Sequence, residues 1–422
     1  MSARERRESG EVAGEFRSRG RRDGRIAPGA AEGPRRGLSE PPTSPDSLTQ
    51  RPTAAARDDL HALAFAAARG EHRLSAEEAL ALLEGADILP LGAAATAMRD
   101  RLHPEREITF IVDRNVNYTN VCVSGCRFCA FYRDADDADA YVLAPDELYA
   151  KVEETLALEG TAILLQGGLH PDLGIEWYEQ MLRALKERFP IHVHGFGPPE
   201  MVHIARVSGI STREVLARLR DAGLDSLPGG GAEILVDRVR SHVSPKKATS
   251  DEWLDVMREA HELGMSTTAT MMFGGLESAE ERVEHLRRIR EVQDEAAEKG
   301  AVGFRAFIPW SFQPGNTELA QGEFAGQAAT GWEYLRTLAV SRLFLDNVVN
   351  IQASWVTQGP KIGQVALCFG ANDMGSTMIE ENVVASAGTR FMLARKELVR
   401  LIRDAGFTPV QRDTLYREVR RF

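Results

Sequence analysis

No run of about 18 apolar residues, the length a helix needs to cross a bilayer, occurs in this chain, so no membrane span is expected. No apolar stretch near the start resembles a signal peptide. Cysteine is scarce, with four in 422 residues, too few for a disulfide scaffold. Basic charge is in deficit: 51 Lys and Arg face 62 Asp and Glu, and the net charge of -11 disfavours binding a phosphate backbone. Nucleic acid is not an expected partner. No segment fits G-x-x-x-x-G-K-[ST], and Gly229 to Gly231 lack the later acid of a dinucleotide fingerprint, so nucleotide phosphate cradles are not indicated. What is present is the mixture of a globular protein with a sizeable core, 43% hydrophobic and 27% charged.

The charge is unevenly placed. Residues 1–57 hold 12 Arg, no Lys and 8 acids, with Phe16 and Ile26 among few large apolar side chains. Such a segment buries too little surface to offset its ordering entropy and reads as a solvated, disordered tail. Its interspersed acids argue against a transit peptide. A helical lead-in is expected over residues 58–104, with helices at 58–69, 75–84 and roughly 88–102; Ser75 followed by Glu78 has capping-box spacing. From there to residue 390, strand-like apolar runs alternate with amphipathic segments. The strand candidates are 108–112, 162–166, 191–195, 224–227, 267–273, 303–309, 350–353 and 365–370. Eight such units predict a (β/α)8 barrel of the TIM type, followed by a helical extension over 391–422; a doubly wound open sheet is the alternative. Polar and glycine-rich segments follow these strands, which places function on one rim, at the strands' C-terminal ends.

Three of the cysteines, Cys122, Cys126 and Cys129, fall in one loop. Soft sulfur ligands select zinc, copper(I) or an iron–sulfur cluster. A structural zinc needs a fourth Cys or His, and the nearest His is His103. An electron-carrier cluster needs four protein ligands, and the remaining thiol, Cys368, lies in a continuous apolar run that reads as a buried strand. A 4Fe–4S cluster with three thiolates and one open iron is the remaining arrangement.

Asn117-Tyr-Thr-Asn-Val-Cys122-Val-Ser-Gly-Cys126-Arg-Phe-Cys129 resembles the cluster loop of radical S-adenosylmethionine enzymes, and the resemblance runs through most of residues 58–422. It implies a 4Fe–4S cluster and S-adenosyl-L-methionine as cofactors, Phe128 near the adenine, and Gln166, Gly167 and Gly168 at the methionine amine. Glu233, in Leu227-Pro-Gly-Gly-Gly-Ala-Glu233, is implied as a ribose-hydroxyl acceptor. The segments 307–317, 352–359 and 370–382 resemble the menaquinone-pathway (futalosine) branch. Ser354-Trp355-Val356 and Met374-Gly-Ser-Thr377-Met378 follow the pattern of its cyclase. That pattern implies abstraction of hydrogen from ribose C4' of dehypoxanthine futalosine by a 5'-deoxyadenosyl radical, with a flavodoxin or ferredoxin as electron donor. Siblings are aminofutalosine synthase and the F0 synthase subunit, and a non-catalytic iron–sulfur protein is the other class. Two positions depart from the branch pattern: Gly197, where a hydroxyl residue is expected, and Arg305, where a small or β-branched one is.

Cyclisation needs a base, and the rim offers His194, Glu200, Asp373 and Glu381. Arg305 and Lys361 are candidates to pair the substrate's benzoate. Each site residue also has a plainer use. Phe128 suits packing, Glu233 and Glu381 suit helix starts, Asn372-Asp373 suits an Asx turn, and His192 and His194 suit buried, hydrogen-bonded pairs.

Overall fold

The computed structural model describes residues 53–321, 328–388 and 391–422. The tail expected over residues 1–57 therefore lies outside the described residues up to residue 52, and Thr53 already caps the first helix through its hydroxyl. Three helices lead in: α1 (Ala54–Arg69), α2 (Ala76–Gly85) and α3 (Ile88–Leu102). The Ser75–Glu78 capping box forms, with Glu78 N–H donating to Ser75 Oγ at 3.2 Å and Ser75 N–H to Glu78 Oε2 at 2.8 Å. No helix among the described residues is long and apolar enough to cross a membrane.

Eleven strands follow among the described residues: β1 (Glu107–Ile111), β2 (Asp113–Asn117), β3 (Ala162–Gln166), β4 (His192–Gly195), β5 (Ser226–Leu227), β6 (Ser266–Phe273), β7 (Phe304–Ser311), β8 (Asn350–Ile351), β9 (Asp373–Ser376), β10 (Thr408–Arg412) and β11 (Glu418–Arg421). Strands β2 to β8 pair in sequence order into one curled, wholly parallel sheet. A second sheet has the order β11-β10-β1-β9. Val112 alone separates β1 from β2, and a parallel bridge from Gln352 to Asp373 links the end of β8 to β9. The two sheets thus meet at both margins, and β9 stands where an eighth barrel strand belongs.

The expected strand over 365–370 is not one. Residues Trp355–Ala366 are helical, and the apolar run continues as a turn that docks on α3. There Thr96 Oγ1 donates to Cys368 O at 2.7 Å, Arg99 donates to Leu367 O, and Phe369 fills the space a side chain at Gly92 would take. A short apolar run has no period by which to tell such a helix end from a buried strand. Cys368 is exposed rather than buried. The extension expected to be helical holds one long helix, Arg395–Asp404, and then adds β10 beside β1 and β11 beside β10.

Residues alternate across the parallel sheet. Val116, Ile163, Leu165, Val193 and Leu227 face the helix layer and join one core with Leu182, Leu185, Leu216 and Leu219. The intervening positions, Asn115, Asn117, Gln166, His192, His194 and Ser226, therefore face the lumen.

Candidate active site at the ends of the parallel strands

The chain leaves β2 through Tyr118, whose buried hydroxyl donates to Glu200 Oε1 at 2.8 Å. The cysteine loop then closes on itself: Cys122 N–H donates to Arg133 O at 3.0 Å and Arg133 N–H to Asn120 O at 2.8 Å. The Arg133 guanidinium also holds the carbonyls of Ala130, Phe131 and Tyr132. Cys126 is buried, with Ser124 Oγ at 3.1 Å from its sulfur, while Cys122 and Cys129 are half-buried. Burial pushes the thiols of Cys122 and Cys129 up, with nearby backbone N–H groups acting in the other sense. Among the described residues no three His, Cys, Asp or Glu side chains are grouped to hold one metal ion. Three cysteines in one loop, with no fourth Cys or His beside them in sequence, are the donor set of a 4Fe–4S cluster that leaves one iron open.

The glycines after β3 receive this loop. Gly168 N–H donates to Thr119 O at 2.9 Å, and Val123 N–H donates to Leu169 O at 3.0 Å. A Cβ on Gly168 would lie 2.1 Å from Val121 O and 2.9 Å from Cys122 Cβ, and one on Gly167 would lie 2.5 Å from the Tyr118 ring. Only glycine permits this approach of two backbones. The glycines after β5 close the other side. A Cβ on Gly230 would meet Gln166 Nε2 at 2.6 Å, and one on Gly197 would meet Gly230 O at 2.9 Å, so a side chain at position 197 would have to shift that backbone.

Lys247 ties the two sides together. Its Nζ lies 2.7 Å from Glu233 Oε1 and 5.2 Å from the Phe128 ring centroid, and the pair is nearly buried, with side chains 15% and 4% exposed. Although burial pulls the ammonium down, Cys126 and Glu233 raise it above its usual range. Beneath it, buried Arg240 donates to Gly231 O at 3.1 Å and to Ala248 O at 3.1 Å, fixing the glycine segment to the loop that carries Lys247. Sequence reasoning passed over Lys247, because nothing in Ser244-Pro-Lys-Lys247 separates it from exposed Lys246.

The four base candidates are not brought together. Glu200 is buried and accepts from Tyr118, from Gly167 N–H at 3.1 Å and from Gly197 N–H at 2.8 Å; burial pushes it up to about 7 against those three donors. Asp373, within β9, is fully buried and accepts from Arg412, Thr109 and Gly375 N–H. Glu381 accepts from Val383 N–H at 3.0 Å and Ala385 N–H at 2.9 Å, as a helix-start acid does. His194 Nδ1 lies 2.7 Å from Ser226 Oγ, and burial, His192 and Arg412 lower it to about 3. Arg305 is not on the rim: it is the second residue of β7, at the strand's opening end, with Nε donating to Ser266 Oγ at 3.1 Å. Exposed Lys361 lies on the helix after β8.

Residues 116–289 match the family model of the radical SAM superfamily, and residues 301–421 match that of the CofH/MqnC C-terminal region. The chain is 48% identical over 357 residues to a cyclic dehypoxanthine futalosine synthase of Halalkalibacterium halodurans, an alignment covering 84% of this chain and 94% of that protein. It is also 42% identical over 351 residues to an aminodeoxyfutalosine synthase of Thermus thermophilus, covering 82% and 93%. The chain belongs to the radical SAM superfamily.

A solved structure of HydG, a maturase of the [FeFe]-hydrogenase, superposes with a TM-score of 0.65 at 17% identity, covering 86% of this chain and 80% of that one, which shows the shared fold. As a radical SAM enzyme, this protein uses a 4Fe–4S cluster and S-adenosylmethionine and acts on a small molecule. The cysteine loop, the glycine segments after β3 and β5 and the Lys247–Glu233–Phe128 group all follow the C-terminal ends of parallel strands.

Proposed function

We propose that the protein converts dehypoxanthine futalosine to cyclic dehypoxanthine futalosine. The observation that carries this reading is the 48% identity to a synthase of that name over nearly its whole length, joined to the Asn372–Met378 and Ser354–Val356 patterns. Cys122, Cys126 and Cys129 would hold three irons of the cluster. The cluster with S-adenosylmethionine, when bound, would supply the radical chemistry that takes hydrogen from ribose C4'. The chain's own part is to orient and enclose. Gln166, Gly167 and Gly168 stand beside the cysteine loop where the methionine amine would bind. Phe128 and Glu233 would receive adenine and ribose, and Lys247 contacts both side chains. The lumen side chains between Asn115 and Ser226 would exclude bulk water from the carbon radical. A flavodoxin or ferredoxin in a reducing cytoplasm would deliver the electron.

The test is anaerobic incubation with dehypoxanthine futalosine, S-adenosylmethionine and dithionite, read by mass spectrometry. Cyclisation removes two hydrogens, so a product about two mass units lighter is expected, with deuterium from C4' appearing in 5'-deoxyadenosine. An enzyme that ignores this substrate and joins the adenosyl group to an enolpyruvyl benzoate would instead share the activity named for the Thermus thermophilus relative.

A further inference from the structure

One polar cluster in the lumen is left unused by these contacts. His192 and His194 lie on the lumen face of β4, and both rings reach the same hydroxyl on β5: His192 Nε2 and His194 Nδ1 each lie 2.7 Å from Ser226 Oγ. A hydroxyl has one proton, so it donates to one ring and accepts from the other. The arrangement has two forms, related by shifting both protons along the chain of three groups. His194 is nearer the reactive end, four residues before the first proline of helix Pro198–Ser208, and His192 opens the strand. Both rings are half-buried rather than sealed.

We propose that His194, Ser226 and His192 form a proton relay that carries the proton lost during ring closure from the lumen to the floor of the barrel. This rests on the cyclase reading above. When the carbon radical has joined the benzoate ring, that ring carbon still holds its hydrogen. The C–H bond breaks, the proton passes to His194, and the electron left behind goes to a one-electron acceptor of the iron–sulfur class. His194 Nδ1–H passes its proton to Ser226 Oγ, the hydroxyl proton passes to His192 Nε2, and His192 releases its other N–H proton to water. Each group ends with as many protons as it had before, both rings have switched to their other tautomer, and one proton has passed from the substrate to water. Neutral rings suit this. His194 is held down to about 3 by burial, by His192 and by Arg412, against the Ser226 backbone. His192 is lowered by burial, the Asp225 and Asp413 carboxylates opposing this and the Lys186 and Arg417 cations adding to it. Lys186, Asp225 and Arg417 reach solvent, so the floor end offers an exit.

The relay is tested with Ser226→Ala and Ser226→Thr in the full-length protein. With dehypoxanthine futalosine, Ser226→Ala should lower the yield of cyclised product per 5'-deoxyadenosine by about ten-fold or more, and Ser226→Thr, which keeps the hydroxyl, should restore it. An unchanged ratio in Ser226→Ala, with an unchanged effect of deuterated solvent, overturns the relay and leaves the cyclase reading standing. The second readout needs no turnover: 15N spectra of the imidazoles should show both rings neutral from pH 6 to 8, with Ser226→Ala shifting the tautomer balance of both. Rings that ignore the substitution, or a His194 that titrates near its ordinary value, overturn the relay whatever the substrate proves to be.

Discussion

Gly168 is the tightest point of the site, because what a side chain there would strike is backbone, Val121 O at 2.1 Å, which cannot swing away. Gly168→Ala should therefore displace the cysteine loop, costing about 1–3 kcal/mol as overpacking does and lowering bound iron and sulfide on reconstitution. Gly125→Ala is the contrast: it has open space around it but a positive φ of 54°, so strain alone should show. Lys247 and Glu233 form a buried pair, and removing one charge strands the other. Lys247→Met should lower stability by about 3–5 kcal/mol, and the double variant with Glu233→Gln should recover much of it in denaturant melts. Glu200 gives a pH signature. Its folded value of about 7 lies above the ordinary 4.5, so the folded state binds the extra proton between these values and its contribution to stability falls as pH rises through that window. Urea melts from pH 5 to 8 should show that slope in the wild type and lose it in Glu200→Gln. At this scale the clustering of the cysteines in one loop and the glycines packed against it were legible, because close approach admits few other residues. Lys247, Tyr118 and Ser226 were not, since their partners come from distant segments.

Elements were legible wherever a period or a cap marks them. The helices α2 and α3 occupy, within a residue, the spans the sequence predicts for them. The helix Pro198–Ser208 was not foreseen, because Gly197-Pro-Pro-Glu200 reads as a loop. Yet prolines suit the first turn of a helix, and Glu200 accepts from Gly197 N–H as a capping acid does. The run at 365–370 misled for the opposite reason, being apolar on account of α3 rather than a sheet. Likewise Asn372 and Asp373, read as rim residues, turn into the wall. Asn372 Oδ1 accepts from Arg342 at 2.7 Å and from Ile351 N–H at 2.8 Å, while Asp373 is clasped by Arg412 of β10. The C-terminal strand thus supplies the cation that permits a buried carboxylate in β9. Arg412→Met should destabilise the protein by about 3–5 kcal/mol through the unpaired Asp373, whereas Arg400→Met, on an exposed i,i+4 pair, should change it by less than about 0.5 kcal/mol. Thermal melts of the two variants decide whether the C-terminal extension is part of the barrel wall or an accessory to it.

For the whole molecule the question is whether the function needs the Arg-rich N-terminal segment. The net charge of -11 hides a positive segment over residues 1–57 and an acidic remainder. Thr53 Oγ1 accepts from Ala56 N–H at 3.3 Å to begin α1, and Ala64, Ala67 and Ala68 of that helix are buried in the main core. Arg101 of α3 donates to Ala68 O at 2.9 Å, so α1 is bound to the lead-in by polar as well as apolar contacts. Small side chains there leave no room to relax around a missing neighbour. Removing residues 1–52 should therefore leave the melting temperature, cluster content and 5'-deoxyadenosine formation as they are. Removing residues 1–70 takes α1 with them, exposes the faces of α2 and α3 that it covers, and should lower the melting temperature by several degrees or more. If the shorter deletion instead abolishes turnover while the melt is unchanged, the Arg-rich segment takes part in the reaction or in receiving the electron, and its composition was a poor guide to its use.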